Sequence, residues 1–321
     1  MYRKTAIIVT TFVAAYFALV FLADTWWQAV PLAIVLALSV VAIGFNVMHD
    51  ASHRAYSDRI WINRLMSSTL DLVGGSSYFW RWKHVVFHHT FVNVAGHDTD
   101  IDLAGLGRLT PHHPRAWIHR WQHWYVWLLY GLMVIKWHFY DDFRLALTGR
   151  MAGHSVQRPQ GRQLSVLLGG KIMFALLAFG LPLKLHPLSA VAATYVLTSA
   201  VIGIVLSLVF QLAHCVEDAD FPLAHQRGQI DKPWAVHQAE ATVDFARGNR
   251  IATWLLGGLN FQIEHHLFPR ICHVNYPAIA GVVEKTCAEF GVRYNYNATI
   301  WTALRSHVRW IRRLGEAPAA P

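Results

Sequence analysis

Charge and cysteine are what this 321-residue chain has little of. Asp, Glu, Lys and Arg make up 15% of it, against roughly 25% in soluble globular proteins, and 54% of its residues are hydrophobic. That balance argues against both a disordered chain and an ordinary soluble enzyme. The three cysteines, Cys215, Cys272 and Cys287, are odd in number and widely spaced, so neither a disulfide framework nor a thiolate zinc site is indicated. Internal repeats and low-complexity segments are missing, and no nucleic-acid recognition module accompanies the net charge of +9. Histidine, in contrast, is abundant: 20 residues, more than Asp and Glu together at 19. An apolar chain has little use for so many imidazoles unless they do chemistry, and that chemistry is nitrogen-based.

Four stretches have the length and composition of membrane spans, 5–23, 30–48, 164–183 and 188–213. Only Lys171 interrupts them with a charge. The short links 24–29 and 184–187 predict two helical hairpins. The first run is long and lacks a small-residue cleavage motif, so it reads as a retained span rather than a signal peptide. A fifth apolar stretch, 121–140, contains His123, Lys136 and His138 among many aromatics. If it crossed, 49–120 and 214–321 would lie on opposite sides of the membrane and could not share a site. It is therefore expected to be interfacial or re-entrant, its aromatics at the headgroups, and the same holds for 66–80.

Basic residues flank the outer ends of these runs: Arg3 and Lys4, then Arg54, Arg59 and Arg64, then Arg158 and Arg162, whereas the two hairpin links hold only Lys184. By the positive-inside rule both termini and the histidines face the cytosol, where the Asn297 sequon would go unused. The expectation is one all-α integral membrane domain over 1–321. It has four transmembrane helices in two hairpins, interfacial helices, and a cytosolic histidine-rich cap from 49–163 and 214–310. Residues 310–321 read as a frayed tail. The basic cap suits anionic lipid headgroups, a phosphate-bearing substrate or an acidic electron donor.

The histidines cluster as His49-Asp-Ala-Ser-His53, His84-Val-Val-Phe-His88-His89 and Gln262-Ile-Glu-His265-His266. On a helix, i and i+4 share a face, so His49 with His53, and His84 with His88, can each present two nitrogens to one centre. Adjacent residues point about 100° apart, so the doublets His88-His89 and His265-His266 can each serve two neighbouring metals. That predicts a dinuclear site. The second run ends at His49, and the fourth, about 39 Å long as a helix, exceeds the roughly 30 Å hydrocarbon core and brings His214 to the same level. Seven cluster histidines and His214 make eight imidazoles, enough for two ions with four each. Imidazole suits Fe, Zn, Cu or Ni. A lipid-like substrate with unactivated C–H bonds needs a redox metal and O2, which makes iron the leading candidate and zinc its redox-inert competitor. His112, His113, His119, His123, His138, His154, His186, His225, His273 and His307 are scattered and read as interfacial.

The ordered strings HDASH, HVVFHH and QIEHH, with hydrophobic hairpins around them, resemble the integral-membrane fatty acid desaturases over residues 30 to 295. GGLNFQIEHHLFPRICHVNYP and FQLAHCVEDADFP resemble the front-end and related bacterial acyl desaturase branch. The resemblance implies a di-iron, O2-dependent enzyme that introduces a cis double bond into a fatty acyl chain carried on CoA or a lipid. It implies His49, His53, His84, His88, His89, His265 and His266 as ligands, with His214 as the additional one. Where many relatives have His at the start of the third string this chain has Gln262, a weaker ligand that can act through a water. His237 is either its substitute or a residue beyond the ligands. Asp98, Asp100, Asp102, Glu217, Asp218 and Asp220 are candidates to orient ligands, and Arg81 and Lys83 to hold an anionic headgroup or the membrane rim. His113-Pro114 and His186-Pro187 lack a following Gly-Gly, so a fused cytochrome b5 module is not expected. Electrons are expected from ferredoxin or from cytochrome b5 with its reductase. The competing readings are a di-iron lipid hydroxylase or ketolase and, more remotely, a membrane metal or haem transporter, which would place histidines at mid-bilayer.

Overall fold

The computed structural model describes residues 1–225 and 229–316. It is mostly helical, and its strands among the described residues are two residues long. The chain forms two compact units. The first comprises Met1–Trp80, Leu128–Gly149 and Gln157–Ser207, and the second Arg81–Trp127, Arg150–Val156 and Leu208–Pro321.

Among the described residues, four helices are long and apolar enough to cross a membrane: α1 (Tyr2–Phe21), α2 (Trp26–Ser52), α4 (Arg162–Lys184) and α5 (Leu188–His214). They match the four expected runs, and 121–140 is not among them; it forms the shorter helix α3 (Gln122–Lys136) and a π-turn. The link between α1 and α2 is tighter than expected, because the Gln28 side chain accepts from the N–H groups of Asp24 and Thr25 at 3.0 and 3.2 Å. That starts α2 at Trp26. Residues Ile43–Met48 within α2 are π-helical.

In the first unit, α1 and α2 pack together and bury small or branched residues, among them Ile8, Ala15, Ala33, Ala37 and Val41. Val13, Phe17, Val35, Leu38, Leu168 and Ile172 point outward and are exposed. An apolar surface of that extent marks contact with lipid. Helices α3 and α5 cross closely at Gly203, where an added Cβ would stand 2.3 Å from the Tyr130 carbonyl oxygen. Lys171 centres one network of charge inside this unit. Lys171 Nζ donates to Asp142 Oδ2 at 2.7 Å and to the Gly74 carbonyl at 2.6 Å. Nearby, Gly170 has no room for a Cβ because Asp71 lies against it. A cavity of about 640 Å³, lined by Tyr16, Val40, Leu72, His138, Phe174 and Tyr195 among others, opens in the same unit.

The second unit contains strands β1 (Arg150–Met151) and β2 (His154–Ser155), paired antiparallel, and β3 (Asp244–Phe245) with β4 (Tyr296–Asn297), paired parallel. Its helices include α6 (Trp234–Ala241), α7 (Gln262–Leu267), α8 (Tyr276–Glu289) and α9 (Ile300–Glu316). Ala239 and Ile263 pack on Val283 and Cys287, and Phe261 on Tyr276 and Ala280, so α7 is buried from both sides.

Two expectations need correction. The segment from 310 is helical to Glu316 rather than frayed. Gly315 lies so close to the His119 carbonyl that a Cβ would be 2.1 Å from it, and Arg108 donates to the Leu314 carbonyl at 2.8 Å. The remaining residues of the expected tail, 317–321, lie outside the described residues. Several scattered histidines are buried and not interfacial: His119, His138, His273 and His307. Buried backbone carbonyls need donors, and imidazole serves: His119 Nε2 meets the Gly105 carbonyl at 2.9 Å and His307 Nδ1 the Cys215 carbonyl at 2.7 Å. Burial pushes His307 down to about 4 and His138 to about 3, the latter with help from Lys171, so both are neutral at pH 7.

Candidate metal centre

Three segments of the second unit bring six histidines together. The first is Arg81–His88, which continues into His89. The second is the end of α5 at His214, and the third is α7 with His265 and His266. Ring centroids of His88 and His214 are 4.7 Å apart, those of His88 and His266 5.0 Å, and those of His89 and His266 4.4 Å. His84 stacks on His88 at 5.2 Å and on His265 at 5.9 Å. All six are buried. Donor atoms of His88, His214 and His266 lie within 4.8 Å of one another, as do those of His89, His265 and His266. In the first unit, His49 and His53 at the end of α2 are buried, with ring centroids 4.9 Å apart.

The rings of His88 and His89 are inclined at 86°, and those of His265 and His266 at 83°. The helix type departs from the α-helix that the spacing predicts. Arg81–His88 is π-helical, as is the stretch leading into His49. π-turns are rare, short and frequent at functional sites, and no composition signal announces them. The expected α-helical face is replaced by an extra residue per turn, and the rings of His84 and His88 stack at 17° all the same.

The outer nitrogens of several rings are held from behind. His88 Nδ1–H donates to Asp98 Oδ2 at 3.0 Å, His266 Nδ1–H donates to Gln238 Oε1 at 2.8 Å, and His265 Nδ1 meets the Tyr276 hydroxyl at 3.2 Å. An acceptor behind Nδ1 puts the lone pair on Nε2, the arrangement that metal-binding imidazoles use. Nε2 of His88 is buried with no hydrogen-bond partner, a costly state for a polar atom unless a cation sits there. Burial works against charging His88, but Asp98, with Asp100 behind it, outweighs this and raises its pKa. Those carboxylates favour a metal cation on the same terms.

Of the six acids considered, only Asp98 and Asp100 approach a clustered ring. Asp100 is 3.5 Å from His88 Nδ1 and is paired with Lys83 at 2.7 Å, so Lys83 is engaged inward. Asp102 caps a turn through the Ala104 N–H. Glu217 pairs with Arg309 and Arg313, Asp220 with Lys232 and Arg293, and the Asp218 carbonyl accepts from Asn295. Gln262 is buried in the first turn of α7, and neither end of its amide has a hydrogen-bond partner. His237, on α6, is buried with Nε2 unpartnered; burial and then Lys232 push it down to about 4. Among the described residues it belongs to none of the close donor groups. Beside α7, Tyr294 Oη donates to Asp244 and Glu264 at 2.7 and 2.9 Å. Burial and their mutual repulsion push the Asp244 carboxyl well up, and burial raises Glu264.

Sequence reasoning missed Gln238, Tyr276 and Asn93. Their partners are distant in sequence, so no local pattern marks them.

The sequence is similar to known proteins over most of its length. The fatty acid desaturase family matches residues 25–298. The chain is 38% identical over 320 residues to the sn-1 linoleoyl-lipid 6-desaturase of Arthrospira platensis, covering 99% of this chain and 86% of that protein. It is 38% identical over 319 residues to the enzyme of the same name from Synechocystis sp., covering 99% and 89%. The acyl-lipid (8-3)-desaturase of Physcomitrium patens is 38% identical over 308 residues, covering 94% and 64%. With its three histidine strings inside the matched region, the chain belongs to the fatty acid desaturase family.

Proposed function

We propose that this acyl desaturase acts on fatty acyl chains esterified in membrane lipids, at a dinuclear iron centre. The ligands would be His49, His53, His84, His88, His89, His214, His265 and His266. The observation that carries the reading is the set of six buried imidazoles from three segments, with Nδ1 of His88 and His266 tied back. The names of the relatives support lipid-linked substrates, and such chains suit the apolar cavity of about 640 Å³ in the first unit, within the usual range for ligand pockets. Gln262, with its unpartnered amide, would complete the set through a water, or His237 would.

Bound irons would supply the O2-dependent redox chemistry that unactivated C–H bonds require. Overall, two adjacent methylenes lose two hydrogens, and O2 with two electrons and two protons yields two waters. The protein's own share is positional. Asp98 and Gln238 hold the rings of His88 and His266 in one tautomer, and burial keeps the centre dry. An apolar channel must select one C–C pair, because a uniform methylene chain offers no chemical preference. The electrons would come from ferredoxin or from cytochrome b5 with its reductase, docking by charge on the basic surface. The full chain would act as one domain, its four spans in two hairpins, with both termini and the histidines cytosolic; the basic residues flanking the spans support that orientation.

The test is expression in a host of defined lipids, with mass spectrometry of the glycerolipid and acyl-CoA pools. A new cis double bond appearing first in glycerolipid supports the reading, and first appearance in acyl-CoA overturns the carrier. A product heavier by one oxygen would overturn desaturation in favour of hydroxylation. The purified protein should hold about two irons, as four imidazoles per ion require; an active preparation free of iron would end the metal assignment.

A further inference from the structure

One buried amide ties together the segments that carry the histidines, and we infer that Asn93 is a positioning residue of the metal centre, an inference that rests on the metal reading above. Asn93 follows His89 by four residues, is fully buried, and has φ of +59°. Its Nδ2 faces three backbone carbonyls, those of His214 at 2.9 Å, Asp220 at 3.1 Å and Ala241 at 3.0 Å. Carbonyls only accept, so they fix which end of the amide is nitrogen. Its backbone N–H donates at 3.0 Å to Asp98 Oδ2, the same oxygen that accepts from His88 Nδ1–H.

Each tie leads to a different donor. Through Asp98, Asn93 sets the orientation of His88. Through its own carbonyl, His214 is anchored at the end of α5. The Ala241 carbonyl closes α6, which carries Gln238, the acceptor behind His266. His88, His214 and His266 are the three residues whose donor atoms lie within 4.8 Å of one another. The left-handed backbone belongs to the same device. It costs a non-glycine residue free energy and persists only where the surroundings over-determine it, and Asn tolerates it better than most.

Gln122 provides a matched comparison. It too is buried and tied to two distant segments, accepting from the Arg108 N–H at 2.7 Å and donating to the carbonyls of Arg108 and Ile311 at 2.9 and 2.6 Å. None of its partners carries a histidine of the cluster.

The experiment loads the purified full chain with ferrous iron and titrates it with a chelator, recording bound iron, the Mössbauer spectrum and the unfolding temperature. Asn93→Gly keeps the backbone conformation and the N–H donated to Asp98 and deletes the three side-chain ties. Asn93→Asp keeps the size and turns an oxygen against three carbonyls. Both should release iron about 10- to 100-fold more readily, the range for loss of a group that orients ligands, with altered quadrupole splitting. Gln122→Ala should unfold at a lower temperature and keep the wild-type iron and spectrum. If the Asn93 variants merely unfold earlier, as Gln122→Ala does, and hold iron with the wild-type spectrum, Asn93 is structural only and the inference fails. His88→Ala separates the two levels: if it retains as much iron as wild type, the metal reading itself falls and takes the inference with it. Should the glycine variant not accumulate, the aspartate variant carries the same comparison.

Discussion

The two units bury polar groups to opposite ends. In the first, the Lys171 charge closes on Asp142 and on backbone carbonyls, in a unit that carries many exposed apolar side chains. In the second, supporting groups such as Asp98, Gln238 and Asn93 are satisfied on one side so that imidazole nitrogens remain directed at one another. A buried polar group is expensive in either place. The first unit recovers that cost as cohesion among helices in a lipid setting. In the second, protein groups leave part of it unrecovered, at His88 Nε2 and the Gln262 amide, where a bound cation would recover it.

The comparison is broken most severely by removing a donor. His265→Ala deletes a ring that stands 4.6 Å from His89 and 5.9 Å from His84. Desaturated product should disappear, and iron content should fall, while the helical circular dichroism stays at the wild-type level. Activity that survives at more than a trace would mean that the nest is not the reactive centre.

In the first unit the equivalent blow falls on stability. Lys171→Met leaves Asp142, almost fully buried, without its cation, and stranding one member of a buried pair costs about 3–5 kcal/mol. The double variant Lys171→Met/Asp142→Leu should recover most of that loss. Thermal unfolding in one detergent measures both, and a single variant as stable as wild type would show that the pair does not hold the helices.

Asp71 gives a pH-dependent version. Burial, opposed by hydrogen bonds from Ser77, pushes its carboxyl up to about 6, above the unfolded value of 3.8. A raised acid favours the protonated form in the folded state. Its contribution is therefore fully present below pH 4 and is lost as pH rises through 6. Asp71→Asn removes the ionisation while keeping an oxygen for the Ser77 N–H. It should stabilise the protein by about 2–3 kcal/mol at pH 8, the free energy that separates the folded and unfolded ionisation of this carboxyl at about 1.36 kcal/mol for each tenfold change in proton affinity. At pH 4 it should leave stability nearly unchanged. Unfolding curves at the two pH values check the sign, and a gain independent of pH would refute the electrostatic cause.

How much of this is legible in the sequence follows from how local each feature is. Spans are runs of neighbouring residues, and all four are legible, because hydropathy needs no tertiary information. The histidine strings are legible for the same reason, since His84, His88 and His89 are nearly contiguous. The link at 24–29 is shorter than composition suggests because a single side chain, Gln28, starts the helix early. The π-turns, Asn93 and Gln238 are illegible, since each depends on a partner distant in sequence or on a strained backbone that tertiary packing imposes. His119 and His307 mislead because a histidine bound to a buried carbonyl has the same sequence signature as one at a membrane surface.

Backbone strain separates the units on the finest scale. Of the five non-glycine residues with positive φ among the described residues, Arg54 lies in the first unit, while Asn93, Ala104, Ala152 and Ala246 lie in the second. Ala152, at φ +47°, and Gly153, at φ +74°, form the two-residue turn between β1 and β2, where the pattern of two positive φ angles favours Asn-Gly or Gly-Gly. An alanine there carries a cost of about 1–2 kcal/mol that glycine avoids, partly offset by the greater freedom of glycine in the unfolded chain. Ala152→Gly should therefore raise stability by up to about 1 kcal/mol, and Ala152→Val should lower it. The informative readout is iron retention measured beside the unfolding temperature. The turn presents His154, whose Nε2 lies 2.8 Å from His97 Nδ1 and whose ring stacks on Phe87, the neighbour of His88. A gain in stability with unchanged iron makes the strain local to the hairpin. A gain in stability accompanied by looser iron would instead mean that the strained turn presses the His154 ring against Phe87 to hold His88 in place, so that the second unit spends strain, as well as unsatisfied nitrogens, on its centre.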